Sequence, residues 1–211
     1  MFSGISGARV LGMSDLERRW FHNVKRAFAE ADQAILSAKP QDHCMEELCK
    51  AVDTAKTLRR SLRDEAPSQF GNKHGFVEFL NLEIPAPLDT KGRINLVDAR
   101  TGKPVSYSIA ELVYAIRCMI HENENLNAAE QPDYHVQLDW EINQYTLGTI
   151  QHGTVVLNAR FIAGRVREIL AKFITGLDGM IAIAEGRDFA ITIRPPLGSI
   201  GPGVRPLTKL N

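Results

Sequence analysis

Apolar side chains recur at intervals of three and four residues through most of this chain, a spacing that predicts a mainly helical protein. Leu16, Trp20, Val24, Phe28, Ala31 and Ile35 form one such stripe. It opens at Ser14 and Glu17, a capping-box pair in which hydroxyl and carboxylate satisfy each other's backbone donors, and it ends at Lys39-Pro40. Met45, Leu48, Val52, Ala55, Leu58 and Leu62 form a second stripe, and the short connection predicts an antiparallel helical hairpin. Between Pro67 and Leu82, the residues Phe70, Phe76, Phe79 and Leu80 predict a short helix packed on that hairpin. The stretch Ser108 to Asn125 reads as a capped central helix, with Ser108 and Glu111 as a second capping box and Ile109, Leu112, Val113, Ile116, Met119 and Ile120 as its apolar face. A last long helix starts at an Asn158 cap, buries Phe161, Ile162, Val166, Ile169, Leu170, Phe173 and Ile174, and is expected to end at Gly176.

The period changes to two in a few places. Residues 88–107 read as a loop with a small β-hairpin. Tyr134, Val136, Leu138 and Trp140 alternate with His135, Gln137 and Asp139, as in a half-buried strand. Tyr145 to Gln151 and Thr154 to Leu157 flank the turn pair His152-Gly153. The expected fold is therefore a helical bundle with a small antiparallel β-ribbon or sheet insertion, in the α+β sense. Residues 1–195 read as a single mainly helical domain, with residues 1–12 as a Gly-rich arm and Phe189 to Arg194 as strand-like. Residues 196–211 form a Pro/Gly-rich irregular tail.

Charge narrows the classes of function. The 25 basic and 25 acidic residues cancel, so binding of nucleic acid would need a local basic patch rather than a global excess. The exposed face of the second helix carries Lys50, Lys56, Arg59, Arg60 and Arg63, which a phosphate could contact. Asp53, Asp64 and Glu65 dilute that cluster, so a solvated surface is the expectation, as it is for Arg160, Arg165 and Arg167. The chain lacks an apolar run long enough to span a bilayer and a secretory-type start, so no membrane association and a cytoplasmic location are expected. Cys44, Cys49 and Cys118 lack paired spacing and read as reduced thiols, and neither metal nor cofactor is expected. Phosphate-loop, dinucleotide, zinc-protease and serine-hydrolase motifs are absent from the sequence.

Chemistry concentrates in the central helix. Tyr114, Arg117 and His121 follow at three and four residues, which aligns them along one side, and Glu122 and Asn123 continue in a polar run. Arg offers a permanently charged planar fork to phosphate oxygens, and His moves protons near neutral pH. Together they suffice for metal-independent RNA cleavage: His takes the 2'-hydroxyl proton or protonates the leaving oxygen, and Arg offsets the charge growing on phosphorus. The same residues also fit a structural role, with Arg117 paired to Glu111, Glu122 or Glu124 and His121 at a helix end.

The segment LVYAIRCMIHENENL, preceded by a helical hairpin and followed by a long helix, resembles the signature region of the HEPN superfamily. That resemblance implies a helical, often dimeric protein of toxin-antitoxin or defence type, whose active members are metal-independent endoribonucleases. It implies Arg117 as the phosphate-binding residue and His121 as the acid/base. Tyr114, Glu122 and Asn123 would then be supporting polar groups, RNA the partner and a homodimer the assembly. Three residues separate Arg117 from His121, against four to six in the family pattern, which turns His121 by about 100° on an ideal helix. Cys118 stands where active members carry a polar residue. The alternative is a non-catalytic helical interaction module for a protein partner. A small-molecule site beside Tyr134, Trp140 and Tyr145 is a third reading, in which those aromatics would line the site rather than the core.

Overall fold

The computed structural model describes residues 2, 4–36, 42–65, 71–81, 94–97, 104–120, 135–141, 148–151 and 154–187. The elements in order are α1 (Gly7–Leu11), α2 (Asp15–Leu36), α3 (Asp42–Leu62), α4 (Gly71–Asn81), β1 (Ile94–Val97), β2 (Pro104–Tyr107), α5 (Ile109–Ile120), β3 (His135–Asp139), β4 (Gly148–Gln151), β5 (Thr154–Asn158) and α6 (Ala159–Ala184). The mainly helical fold with a small β insertion is as the periodicity predicts.

The helices α2 and α3 form the expected antiparallel hairpin, pinned at both ends. At one end the Cys44 thiol lies 3.7 Å from the Ala31 carbonyl; at the other the Ser61 hydroxyl donates to Glu17 at 2.6 Å. Val24 and Ala31 on α2 meet Leu48, Val52, Ala55 and Leu58 on α3, all essentially solvent-free. Phe76, Phe79 and Leu80 of α4, Leu112, Val113 and Ile116 of α5, and Ile162, Val166, Leu170 and Phe173 of α6 complete one contiguous core.

Two helix boundaries depart from expectation. The amino-terminal arm is helical in α1, where the Ser6 hydroxyl accepts from the Arg9 amide at 3.1 Å, and Ile5, Val10 and Met13 are buried. A five-residue helix is too short to persist alone or to show periodicity; packing on α6 sustains it. The last helix runs through Gly176 to Ala184 instead of ending there. Gly176 is needed for close approach: the Phe2 ring, stacked on Phe173 at 5.8 Å, occupies the space a Cβ would take. The cap at the other end is as expected, with the Asn158 side chain accepting from the Phe161 amide at 3.1 Å.

β1 and β2 pair antiparallel from Ile94 opposite Tyr107 to Val97 opposite Pro104. The other three strands lie in the order β3-β5-β4. Here the all-antiparallel expectation is corrected: β4 and β5 form the antiparallel hairpin, but β3 runs parallel to β5. Residues 140–153, β4 included, give the chain the length a parallel return requires, and alternation of side chains is identical for either direction. The pair His152-Gly153, the strand-like stretch 189–194 and the tail 196–211 lie outside the described residues. Among the described residues, no helix is long and apolar enough to cross a membrane.

Ion pairs join α2 to α6. Lys25 donates to Asp178 at 2.6 Å, and the Arg167 guanidinium donates to Asp32 while lying over the Phe28 ring. Arg167 is thus buried rather than solvated, since Asp32 compensates its charge.

Candidate functional site

α5 starts as its sequence dictates: the Ser108 amide donates to Glu111 at 2.7 Å, and the Glu111 amide to the Ser108 hydroxyl at 3.2 Å. On the helix so started, Tyr114 faces α4 and Arg117 faces α3. Tyr114 is buried, its ring edge-on to Phe76 of α4 with centroids 5.6 Å apart. One turn later the Arg117 guanidinium lies 5.7 Å from the Tyr114 ring centroid, within cation–π range.

Arg117 Nε donates to Asp53 Oδ2 on α3 at 2.8 Å. Of the sequence neighbours that a structural role would pair with Arg117, Glu111 is committed to its cap and Glu122 and Glu124 lie outside the described residues; Asp53 comes from the crossing helix. The other Asp53 oxygen accepts from Lys56 Nζ at 2.6 Å. One carboxylate is therefore gripped by a lysine from its own helix and an arginine from another. Lys56 also lies 5.7 Å from the centroid of Phe76.

The basic face of α3 continues from this point. The Arg60 guanidinium rests on Gly75 of α4, where a Cβ would come within 2.8 Å of Nη2, and lies 3.6 Å from Glu78. Arg59 is 3.7 Å from the same carboxylate, and its Nε is buried without a hydrogen-bond partner among the described residues. The expectation of a wholly solvated face fails for Lys56 and Arg59, which are 8% and 5% exposed. It holds better for Lys50, half-exposed and paired with Glu46 and Glu47 at 2.7 and 2.8 Å.

These positions carry an electrostatic cost. Burial pushes the Lys56 pKa down, Asp53 opposes that, and nearby Arg117 and Arg60 push it further down. Burial also disfavours charge on Arg117, yet the hydrogen bond and charge of Asp53 outweigh it and the net shift is upward. Arg59 is lowered by burial and by Arg63. Among the described residues, Lys56 and Arg117 share the Asp53 carboxylate, and Arg59 and Arg60 share that of Glu78.

Of the residues expected to form the site, Tyr114 and Arg117 are brought together. His121, Glu122 and Asn123 lie outside the described residues, as do Glu124, Tyr134 and Tyr145. Asp53, Lys56 and Arg60 were not foreseen as part of it. Their signal was present: spaced at three and four residues, they form a stripe of their own on α3.

Two other constellations are less informative. His43, Glu46 and Glu47 place potential ligand atoms within 4.8 Å of one another, but the Lys50 ammonium already binds both carboxylates. The three cysteines are buried and form no disulfide, and burial raises the Cys44 thiol to about 12 and Cys49 higher still, as for inert core positions.

Comparison with known proteins adds no relative: no family model, curated protein or solved structure matches this chain.

Proposed function

We propose that this chain is a HEPN-like protein that binds RNA through phosphate, with the α3–α4–α5 junction as its binding surface. The observation that carries the reading is the convergence of Arg117 with Lys56 on one carboxylate, beside Arg60, in a partly desolvated place. Charged hydrogen bonds are stronger there than in water, and an oxyanion is the ligand such donors suit.

The catalytic form of this proposal adds His121, four residues beyond Arg117 in the sequence, as the proton carrier of a metal-independent endoribonuclease. His121 takes the 2'-hydroxyl proton or protonates the departing oxygen, and Arg117 offsets charge on phosphorus. Tyr114 supports Arg117, Glu122 and Asn123 supply further polar groups, and a second copy of the chain completes the cleft. Incubating the purified protein with mixed RNA in the presence of chelator tests this. The expected result is cleavage that His121→Ala abolishes. Binding without cleavage would confine the function to recognition, and failure to bind RNA would overturn the proposal.

One observation favours a second reading, a non-catalytic interaction module. The Arg117 side chain is only 11% exposed and its Nε is already committed to Asp53, as in an internal polar tie between helices. On this reading Arg117→Ala lowers stability and leaves RNA affinity untouched.

A further inference from the structure

The geometry points to Asp53 as the resident occupant of an oxyanion clamp formed by Lys56 and Arg117, a carboxylate that a phosphate group of the ligand must displace. The ligand class rests on the RNA-binding proposal above; the clamp itself rests on distances. Lys56 Nζ lies 2.6 Å from Asp53 Oδ1 and Arg117 Nε lies 2.8 Å from Oδ2. Two donors from two helices thus engage two oxygens of one anion, the arrangement in which they would engage two oxygens of one phosphate.

Three further features suit exchange of one anion for another. Both cations sit against aromatic rings, Lys56 at Phe76 and Arg117 at Tyr114, and those rings pack edge to face. The donors are therefore held in place whichever anion is present. Arg60, close enough to act electrostatically on Lys56, adds a third positive charge, and its own carboxylate partner, Glu78, 3.6 Å away, is shared with Arg59. Finally, Asp53 is the most exposed member of the trio: its side chain is 24% accessible, against 9% for Lys56 and 11% for Arg117. A carboxylate that swings into water keeps its solvation, whereas either cation would leave a buried gap.

Lys56 is then a binding residue contributed by α3, and Asp53 is an internal competitor that holds affinity down until a phosphate arrives. Removing the competitor's charge raises affinity; removing Lys56 lowers it.

The test uses the full chain with a short single-stranded RNA and, separately, inorganic phosphate against chloride at matched ionic strength. Asp53→Asn is expected to bind the RNA about tenfold more tightly, equivalent to about 1.4 kcal/mol, and to gain several degrees of melting temperature in phosphate. Lys56→Gln, which keeps the Asp53–Arg117 pair, is expected to bind RNA about tenfold more weakly and with a salt dependence reduced by about one phosphate contact. If Asp53→Asn fails to fold even in phosphate, Lys56→Gln decides: unchanged RNA affinity overturns the clamp. Wild-type RNA binding that neither substitution alters would sink the clamp and spare the RNA proposal. Absence of wild-type RNA binding, with phosphate still stabilising Asp53→Asn, would do the reverse.

Discussion

Glu17→Gln is the most demanding test of how the bundle is held. Glu17 sits at the start of α2, 3% exposed, and among the described residues it is held from three sides. Arg9 of α1 grips both carboxylate oxygens, one of them from Nη1 at 3.2 Å. The Ser61 hydroxyl at the end of α3 donates at 2.6 Å, and the Ser14 amide and hydroxyl donate at 2.8 and 2.9 Å. Arg9 is the chief cause of a carboxyl pKa held down from 4.5 to about 2; burial opposes it, and Ser61 and Ser14 add to the lowering. A depressed carboxyl pKa means that the folded state prefers the charged form, so the stabilisation is present above the unfolded value and is lost as pH falls toward the folded one. The interval from 4.5 to about 2, at about 1.4 kcal/mol per pH unit, gives about 3 kcal/mol. Glu17→Gln keeps the shape, removes the charge and points an amide donor at other donors. Near pH 7 it is expected to cost about 3 kcal/mol, or roughly 6–12 °C of melting temperature for a chain of this size. Circular-dichroism melts and urea titrations of both proteins across about pH 7 to 2.5 make the comparison. The difference between them should shrink to about half by roughly pH 3 as the wild type loses its charge. A variant as stable as wild type at neutral pH, or a difference constant down to about pH 2.5, would refute the reasoning.

Further outcomes follow at other sites. Arg117→Ala leaves Asp53 with Lys56 alone and strips a cation from Tyr114, so a loss of about 3 kcal/mol is expected in urea unfolding. Gly164 lies inside α6 with open space where a Cβ would go, so Gly164→Ala should stabilise by about 1 kcal/mol through helix propensity. The same change at Gly176 must expel the Phe2 ring from Phe173 and should bring no such gain, which paired thermal melts will separate. Cys44, Cys49 and Cys118, all buried, should resist iodoacetamide in the native protein near pH 8 and react together once denaturant is added, as mass spectrometry would count.

Hydrophobic period and capping chemistry are local properties, and they determined most of the architecture without help. The stripes of α2 and α3, apart from the exposed Leu16, the Ser14–Glu17 and Ser108–Glu111 boxes, the Asn158 cap and the β-hairpin at β1–β2 lie where neighbouring residues place them. The row from Tyr114 to Arg117 was also legible, because helical spacing alone aligns it. What the sequence left open was decided by contacts between residues far apart in it. α1 forms because α6 covers it, and Gly176, read locally as a helix end, instead leaves room inside α6 for the Phe2 ring. β3 runs parallel to β5, a direction to which side-chain alternation is blind. Above all, the partner of Arg117 is Asp53, 64 positions earlier, an acid that in the linear sequence only appeared to dilute a basic face. Charge is counted along a chain but neutralised in space, so only the crossing of α3 and α5 could show that Asp53, Lys56 and Arg117 belong together.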